Sequence, residues 1–255
     1  MTINPANGNT TVVHGIHAVN AVIKDDPGRV RAIYLQRGRR DQRLQAVIDA
    51  ARDVRIRVEF VDKRRLDRLT DGSHQGVAAD CHELRLADEK SFEAHFAELT
   101  GPRLLLVLDG VTDPRNLGAC LRSAEAAGVQ AVLLPKRRSA PLNAAALKAA
   151  AGAAESLFLV QVSNLARRLK WLRDQGVWVI GAAGEAPSLW LEADFAGDAA
   201  LVVGSEDKGL RALTAKSCDQ LVRIPMAGAV ASLNVSVATG VLLFEAQRQR
   251  GLASG

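Results

Sequence analysis

From residue 102 onward, short and almost continuously apolar runs alternate with helical stretches, and this alternation limits the fold more than any other feature of the chain. The runs are RLLLVLDG (103–110), QAVLLP (130–135), VWVIGAAG (177–184), ALVVGSE (200–206) and QLVRIP (220–225). Between them lie helix candidates NLGACLRSAEAAG, NAAALKAAAGAAE and NLARRLKWLRDQG, each closing near a glycine or an acidic residue. Strands without a polar side, separated by helices, imply an α/β fold with a parallel sheet covered on both faces. Ligands of such sheets bind beyond the carboxyl ends of the strands.

A weaker version of the pattern precedes it. RVRAIYL (29–35) reads as a strand, DQRLQAVIDAARD (41–53) as a helix and RIRVEFVD (55–62) as a strand. The expected organisation is a small α/β domain over residues 1–82, a polar linker with one short helix over 83–101, and the larger domain over 102–255. The opening MTINPANGNTTVVHG lacks a basic stretch followed by an apolar core, so it is expected to be a short disordered arm rather than a secretory signal.

Composition removes several kinds of chemistry. Cys81, Cys120 and Cys218 are far apart and form no CxxC pair, which argues against zinc or a disulfide framework and for a reducing cytoplasm. All five histidines lie at or before His95, so chemistry in the larger domain must run without imidazole. His14 and His17 have helical spacing, but two ligands without a third do not make a metal site, and no metal is expected. Between Arg29 and Arg68 there are 13 basic residues against 6 acidic ones. Such a patch is either a polyanion-binding surface, with Arg39 and Arg40 as candidate contacts, or a solvated, salt-bridged face. The preference for arginine favours phosphate, which the guanidinium fork grips in a bidentate way.

Three strand ends carry unusual polar loops: DGVTDPRN, GSEDKG and PMAGAVASLN. None is a GxGxxG fingerprint, and GSEDKGL lacks the ending of a P-loop. The third loop opens a run without charge from Ile224 to Phe244. Its Pro225, Gly228, Ser232, Asn234, Ser236 and Gly240 argue against a membrane span. A strand end, a loop of small residues and a helix from about Leu233 capped by Ser232 fit better. On that helix Val237, Val241 and Phe244 form one row, and Asn234, Ala238 and Leu242 another, so it is buried on more than one side, in a core or in a subunit interface. Small residues before it let backbone approach a ligand closely, and Asn234 is costly to bury unless its amide is used.

Taken together, DGVTDPRNLGACLRSAEAAG, VVGSEDKGL and IPMAGAVASLNVSVATG resemble, in order and spacing, the three signature motifs of the SpoU branch of the SPOUT methyltransferases. HGIHAVNAVI and SHQGVAAD are similar to the substrate-binding domain of its ribosomal-RNA members. The resemblance implies 2'-O-methylation of a ribose, in guanosine of 23S ribosomal RNA, with S-adenosylmethionine as methyl donor. It also implies a deep trefoil knot in the C-terminal domain, a ribosomal-protein-like RNA-binding domain before it, and a homodimer with no membrane partner. Transfer RNA is the alternative substrate, and a catalytically inactive RNA-binding assembly factor the alternative class.

Motif by motif, the resemblance assigns Asn116 and Arg122 from the first segment, Glu206 from the second, and Ser232 and Asn234 from the third to catalysis. Gly204, Ile224 and Leu233 match contacts to the methyl donor, Met226 joins them by its place in the same loop, and Arg115 joins the RNA contacts. Alternatives stay open for three of them. Arg122 is the base, a group aligning an RNA phosphate or a surface ion pair; Asn116 is a site residue, a helix cap or both; Glu206 takes part in chemistry or is a buried carboxylate organising the loops. Many relatives have glycine where this chain has Asp207, which leaves the charge of that loop open.

Overall fold

The structure, a computed structural model, describes residues 10–253 except Arg40, Asp71, Gly72, Glu83, Arg85 and Asp207. The chain forms two compact units: the described residues up to Arg85 together with Ala151–Ser156, and Leu86–Ala150 together with the chain from Leu157 onward.

In the first unit the strands are β1 (Thr10–His14), β2 (Val30–Gln36), β3 (Val58–Val61) and β4 (Val77–His82), and the helices α1 (Ile16–Asp25), α2 (Gln42–Asp53) and α3 (Lys63–Leu69). They form a sheet of order β1-β4-β2-β3, parallel only between β2 and β3. Part of the expected N-terminal arm is therefore a strand: Thr10–His14 pairs antiparallel with Ala78–His82, because Val13 supplies one more side chain to the core. His14 ends that strand while His17 lies on α1, so the two do not share a helical turn. Asp41 and Asp62 cap α2 and α3 through their carboxylates.

In the second unit the helices are α4 (Glu89–Glu98), α5 (Pro114–Ala126), α6 (Ala144–Ala150), α8 (Leu165–Asp174), α9 (Ala212–Lys216) and α10 (Val235–Ala253); α7 (Ala153–Ser156) packs with the first unit, on α1. Strands β5 (Leu104–Asp109), β6 (Ala131–Pro135), β7 (Phe158–Val162), β8 (Trp178–Ala182), β9 (Ser188–Leu189), β10 (Ala199–Gly204) and β11 (Gln220–Arg223) form one sheet of order β7-β6-β5-β10-β8-β11-β9. Every pairing in it is parallel, as the apolar runs predict. One face buries Leu105, Val107, Leu133 and Val202 under α4 and α8, and α5 and α10 pack together on the other.

The expected linker helix is α4, and it belongs to this core. Phe92 and Phe96 are buried there, edge-on to Trp171, and Arg168 of α8 reaches back to Glu89 and Glu93 at 2.8 Å each. The single helix expected over 143–155 breaks at Ala151 and Gly152, both with positive φ. The last helix begins at Val235 rather than Leu233. Its cap is Asn234, whose carbonyl accepts from Ala238 and whose side chain accepts from the Ser236 amide at 2.9 Å, and not Ser232. No described helix is long and apolar enough to cross a membrane.

Candidate functional site

Four loops leave the carboxyl ends of β5, β10, β8 and β11, which are neighbours in the sheet. After β5 the chain turns at Gly110, and Asp113 caps α5 by accepting from the amides of Arg115 and Asn116 at 2.8 and 2.9 Å. With Pro114 in the first turn, this cap fixes where α5 starts. Asn116 is thus the third residue of the helix and not its cap, which leaves its side chain free for other partners.

After β10 the loop folds back hard on itself. Ser205 and Gly209 exchange backbone hydrogen bonds of 3.1 and 2.9 Å. A Cβ on Gly204 would lie 2.1 Å from the Gly209 carbonyl carbon, so only glycine fits. The loop is also tied to β5. Asp109 is 1% exposed, and its carboxylate accepts from the Arg211 amide at 3.1 Å and pairs with its guanidinium. Sequence reasoning missed this pair; an aspartate ending an otherwise apolar strand was the available signal.

Asn116, Glu206 and Asn234 meet in a closed triangle. The Asn116 amide donates to Glu206 Oε1 at 2.7 Å, and the Asn234 amide donates both to that same oxygen and to Asn116 Oδ1, the latter at 3.1 Å. Asn234 Oδ1 in turn accepts from the Ser236 hydroxyl at 2.6 Å and from its amide, which fixes the amide's orientation. One carboxylate therefore joins three loops. Glu206 is exposed and not buried, although it does organise the loops.

Beside the triangle is a cavity of about 320 Å³ lined by Gly204, Glu206, Ile224, Met226, Ser232 and Leu233 among the residues singled out from sequence. Its other walls are Ala182–Glu185 after β8, Val203, Ser205, Lys208 and Gly209 around β10, and Val235 and Ala238 on α10. The β8 wall was not expected. Its signal was the small-residue run GAAGEA at a strand end, the same signature as in the third motif. Arg223 holds it in place by donating to the carbonyls of Ala186 and Pro187.

The remaining residues lie apart. Arg115 and Arg122 are exposed on α5, and Arg122 makes no ion pair among the described residues, so the surface-pair alternative is not what the structure contains. Arg39 belongs to the first unit and pairs with Asp41 at 3.4 Å; Arg40 and Asp207 lie outside the described residues. The basic patch is partly answered by carboxylates: Arg29 is buried against Glu155, Arg31 pairs with Asp80 and Arg57 with Glu59. No group of three metal-ligating side chains occurs among the described residues.

The family model described as the SpoU rRNA Methylase family matches residues 103–244, and that described as RNA 2'-O ribose methyltransferase substrate binding matches residues 12–87. The chain belongs to the SpoU rRNA methylase family. A relative from Pseudomonas aeruginosa, the 23S rRNA (guanosine-2'-O-)-methyltransferase RlmB, is 52% identical over 93% of this chain and 96% of its own. RlmB of Escherichia coli K12 is 48% identical over 94% and 98%. The crystal structure of the SpoU methyltransferase AviRb from Streptomyces viridochromogenes in complex with AdoMet superposes with a TM-score of 0.76, covering 95% of this chain and 91% of that one, at 23% identity. That likeness concerns the fold alone.

Proposed function

We propose that the protein transfers a methyl group from S-adenosylmethionine to the ribose 2'-hydroxyl of a guanosine in 23S ribosomal RNA. The observation that carries this reading is the cavity walled by the second and third motifs and joined to the first through Glu206. Near-full-length identity to guanosine methyltransferases of 23S ribosomal RNA favours that substrate over transfer RNA.

The lining suits the donor. Val203, Ile224, Leu233, Val235 and Ala238 offer apolar walls for an adenine, and Glu185 and Lys208 offer charges for the two ends of an amino acid. A Cβ on Gly184 or Gly209 would meet nothing within 4 Å, so both glycines leave open space. Gly204, Ile224, Met226 and Leu233 hold the donor in this reading. When bound, it supplies a methyl group already activated on a sulfonium, so the protein needs only to align the hydroxyl and manage one proton. Ser232 orients the ribose at the cavity mouth. Asn116, Glu206 and Asn234 lock the three loops in register. A guanidinium keeps its proton, so Arg122 acts by aligning an RNA phosphate that accepts the hydroxyl proton.

Residues 1–82 bind the RNA in this reading, through cations such as Arg39, which is exposed, and Arg40, with Arg115 adding a contact on the second unit. The protein works in the cytoplasm as a homodimer. The row Val237, Val241 and Phe244 supports this, since Val237 is 50% and Phe244 54% exposed. Light scattering should give twice the chain mass for the wild type and a single chain mass for Phe244→Glu. The small residues Ala227, Gly228, Ala229 and Ala231 suit a segment threaded through a trefoil knot beside the donor. Mapping ribose methylation in total RNA from a deletion strain tests the function: one 23S guanosine should lose its mark, and an unchanged 23S map beside a lost transfer-RNA mark would reject the reading.

A further inference from the structure

The carboxyl end of β6 carries three successive cations, Lys136, Arg137 and Arg138, on the side of the sheet where the cavity lies. Lys136 continues the sheet, its amide donating to Val162 at 2.8 Å, and lines a hollow together with Asp88, Glu89 and Lys90. Arg137 and Arg138 are exposed, and neither makes an ion pair among the described residues.

Their backbone is held firmly. Arg138 has φ 60°, a left-handed conformation that side chains other than glycine rarely adopt. Its carbonyl oxygen lies 4.0 Å from where a Cβ on Gly110 would sit, and two residues on the Ala140 amide donates to Val111 at 2.8 Å. The turn is thus fastened to the loop of the first motif. Beyond it the chain enters α6, which crosses α5 so closely that a Cβ on Gly118 would lie 2.2 Å from the Ala146 carbonyl oxygen. Gly118 sits between Arg115 and Arg122 on one face of α5, three and four residues away. Two guanidinium groups without an ion pair among the described residues are therefore carried on an uncommon turn, tied before them to β7 at Val162 and after them to the loop of the first motif at Val111. A pair of adjacent cations held this way suits a polyanion.

We propose that Arg137 and Arg138 form a phosphate-binding site of the second unit that grips the RNA backbone beside the target nucleotide. This rests on the reading of the protein as an RNA ribose methyltransferase. The site positions substrate and performs no chemistry.

The test uses the full-length protein and a 23S RNA fragment containing the target guanosine. In Arg137→Gln/Arg138→Gln the slope of log affinity against log salt should fall by about 1.4, at roughly 0.7 per contact to single-stranded RNA. KM for RNA should rise about tenfold while single-turnover methylation at saturating RNA stays within about twofold. Titration of the donor without RNA should be unchanged. Arg137→Lys/Arg138→Lys, which keeps both charges, should restore the slope. An unchanged slope in the glutamine variant would overturn the proposal, and so would loss of donor binding that the lysine variant fails to restore, since the loop would then serve the fold. A wild type that binds this RNA yet transfers no methyl group would sink the methyltransferase reading instead, and the slope difference would still decide the phosphate site.

Discussion

Gly204→Ala is the smallest change that tests whether the fold-back of the second motif builds the donor cavity. The added Cβ would stand 2.1 Å from the Gly209 carbonyl carbon, 2.2 Å from its oxygen and 2.4 Å from the Leu210 nitrogen. All three are backbone atoms, so no side chain can swing away. Reaching even 3.4 Å, the near edge of ordinary contact, means moving the loop by 1.3 Å. The two bonds between Ser205 and Gly209, now 3.1 and 2.9 Å, would not survive such a shift. A displaced loop gives up two backbone hydrogen bonds at about 1 kcal/mol each, so the loop moves only because the overlap costs more than that. With an overpacking excess of about 2 kcal/mol holding the native loop above the displaced one, the binding-competent fraction falls roughly thirtyfold, and the apparent donor affinity falls with it. Calorimetric titration of S-adenosylmethionine measures this directly. Gly197→Ala is the control, because its Cβ would meet nothing within 4 Å. A Gly204→Ala protein with donor affinity within about threefold of wild type would mean that the fold-back does not shape the cavity.

Arg122→Lys should keep donor affinity and lose about two orders of magnitude in single-turnover rate, because a point charge cannot reproduce the guanidinium fork; near-normal turnover would remove Arg122 from the mechanism. Asn116→Ala and Asn234→Ala break the same triangle, so the double variant should cost less in kcat/KM than the two single losses added, with a coupling of about 0.5–3 kcal/mol. Strict additivity would mean that Glu206 does not link them in solution. Burial pushes the thiols of Cys81, Cys120 and Cys218 up to about 12, 11 and 12. They are thus protonated near pH 8, and iodoacetamide should label the native protein only as fast as it unfolds; prompt labelling of Cys120 would contradict its packing against Thr239.

The parallel sheet was legible because its strands are apolar on both sides, and two walls of the cavity were legible because small residues crowd strand ends where backbone must come close. What escaped the sequence was set by distant partners. Thr10–His14 looks like an arm until β4 offers it an edge. The residue capping α10 is decided by which of Ser232 and Asn234 also faces Ser236, and the start of α5 by a carboxylate on Asp113. The patch from Arg29 to Arg68 was open between a polyanion surface and a salt-bridged face, and the partner of Arg29 is Glu155, 126 residues away. The turn at Arg138 carried a basic signal, but only its bond from Ala140 to Val111 connects it with the first motif.

Whether this cavity serves methylation of a guanosine ribose in 23S ribosomal RNA can be read from where the methyl group goes. Purified protein, incubated with isotopically labelled S-adenosylmethionine and unmodified 23S RNA, allows the site of label to be read by nuclease digestion and mass spectrometry. Label is expected at the 2'-oxygen of one guanosine, in the wild type and not in Glu206→Ala. Label on a base, label in transfer RNA alone, or undiminished transfer by Glu206→Ala would contradict it.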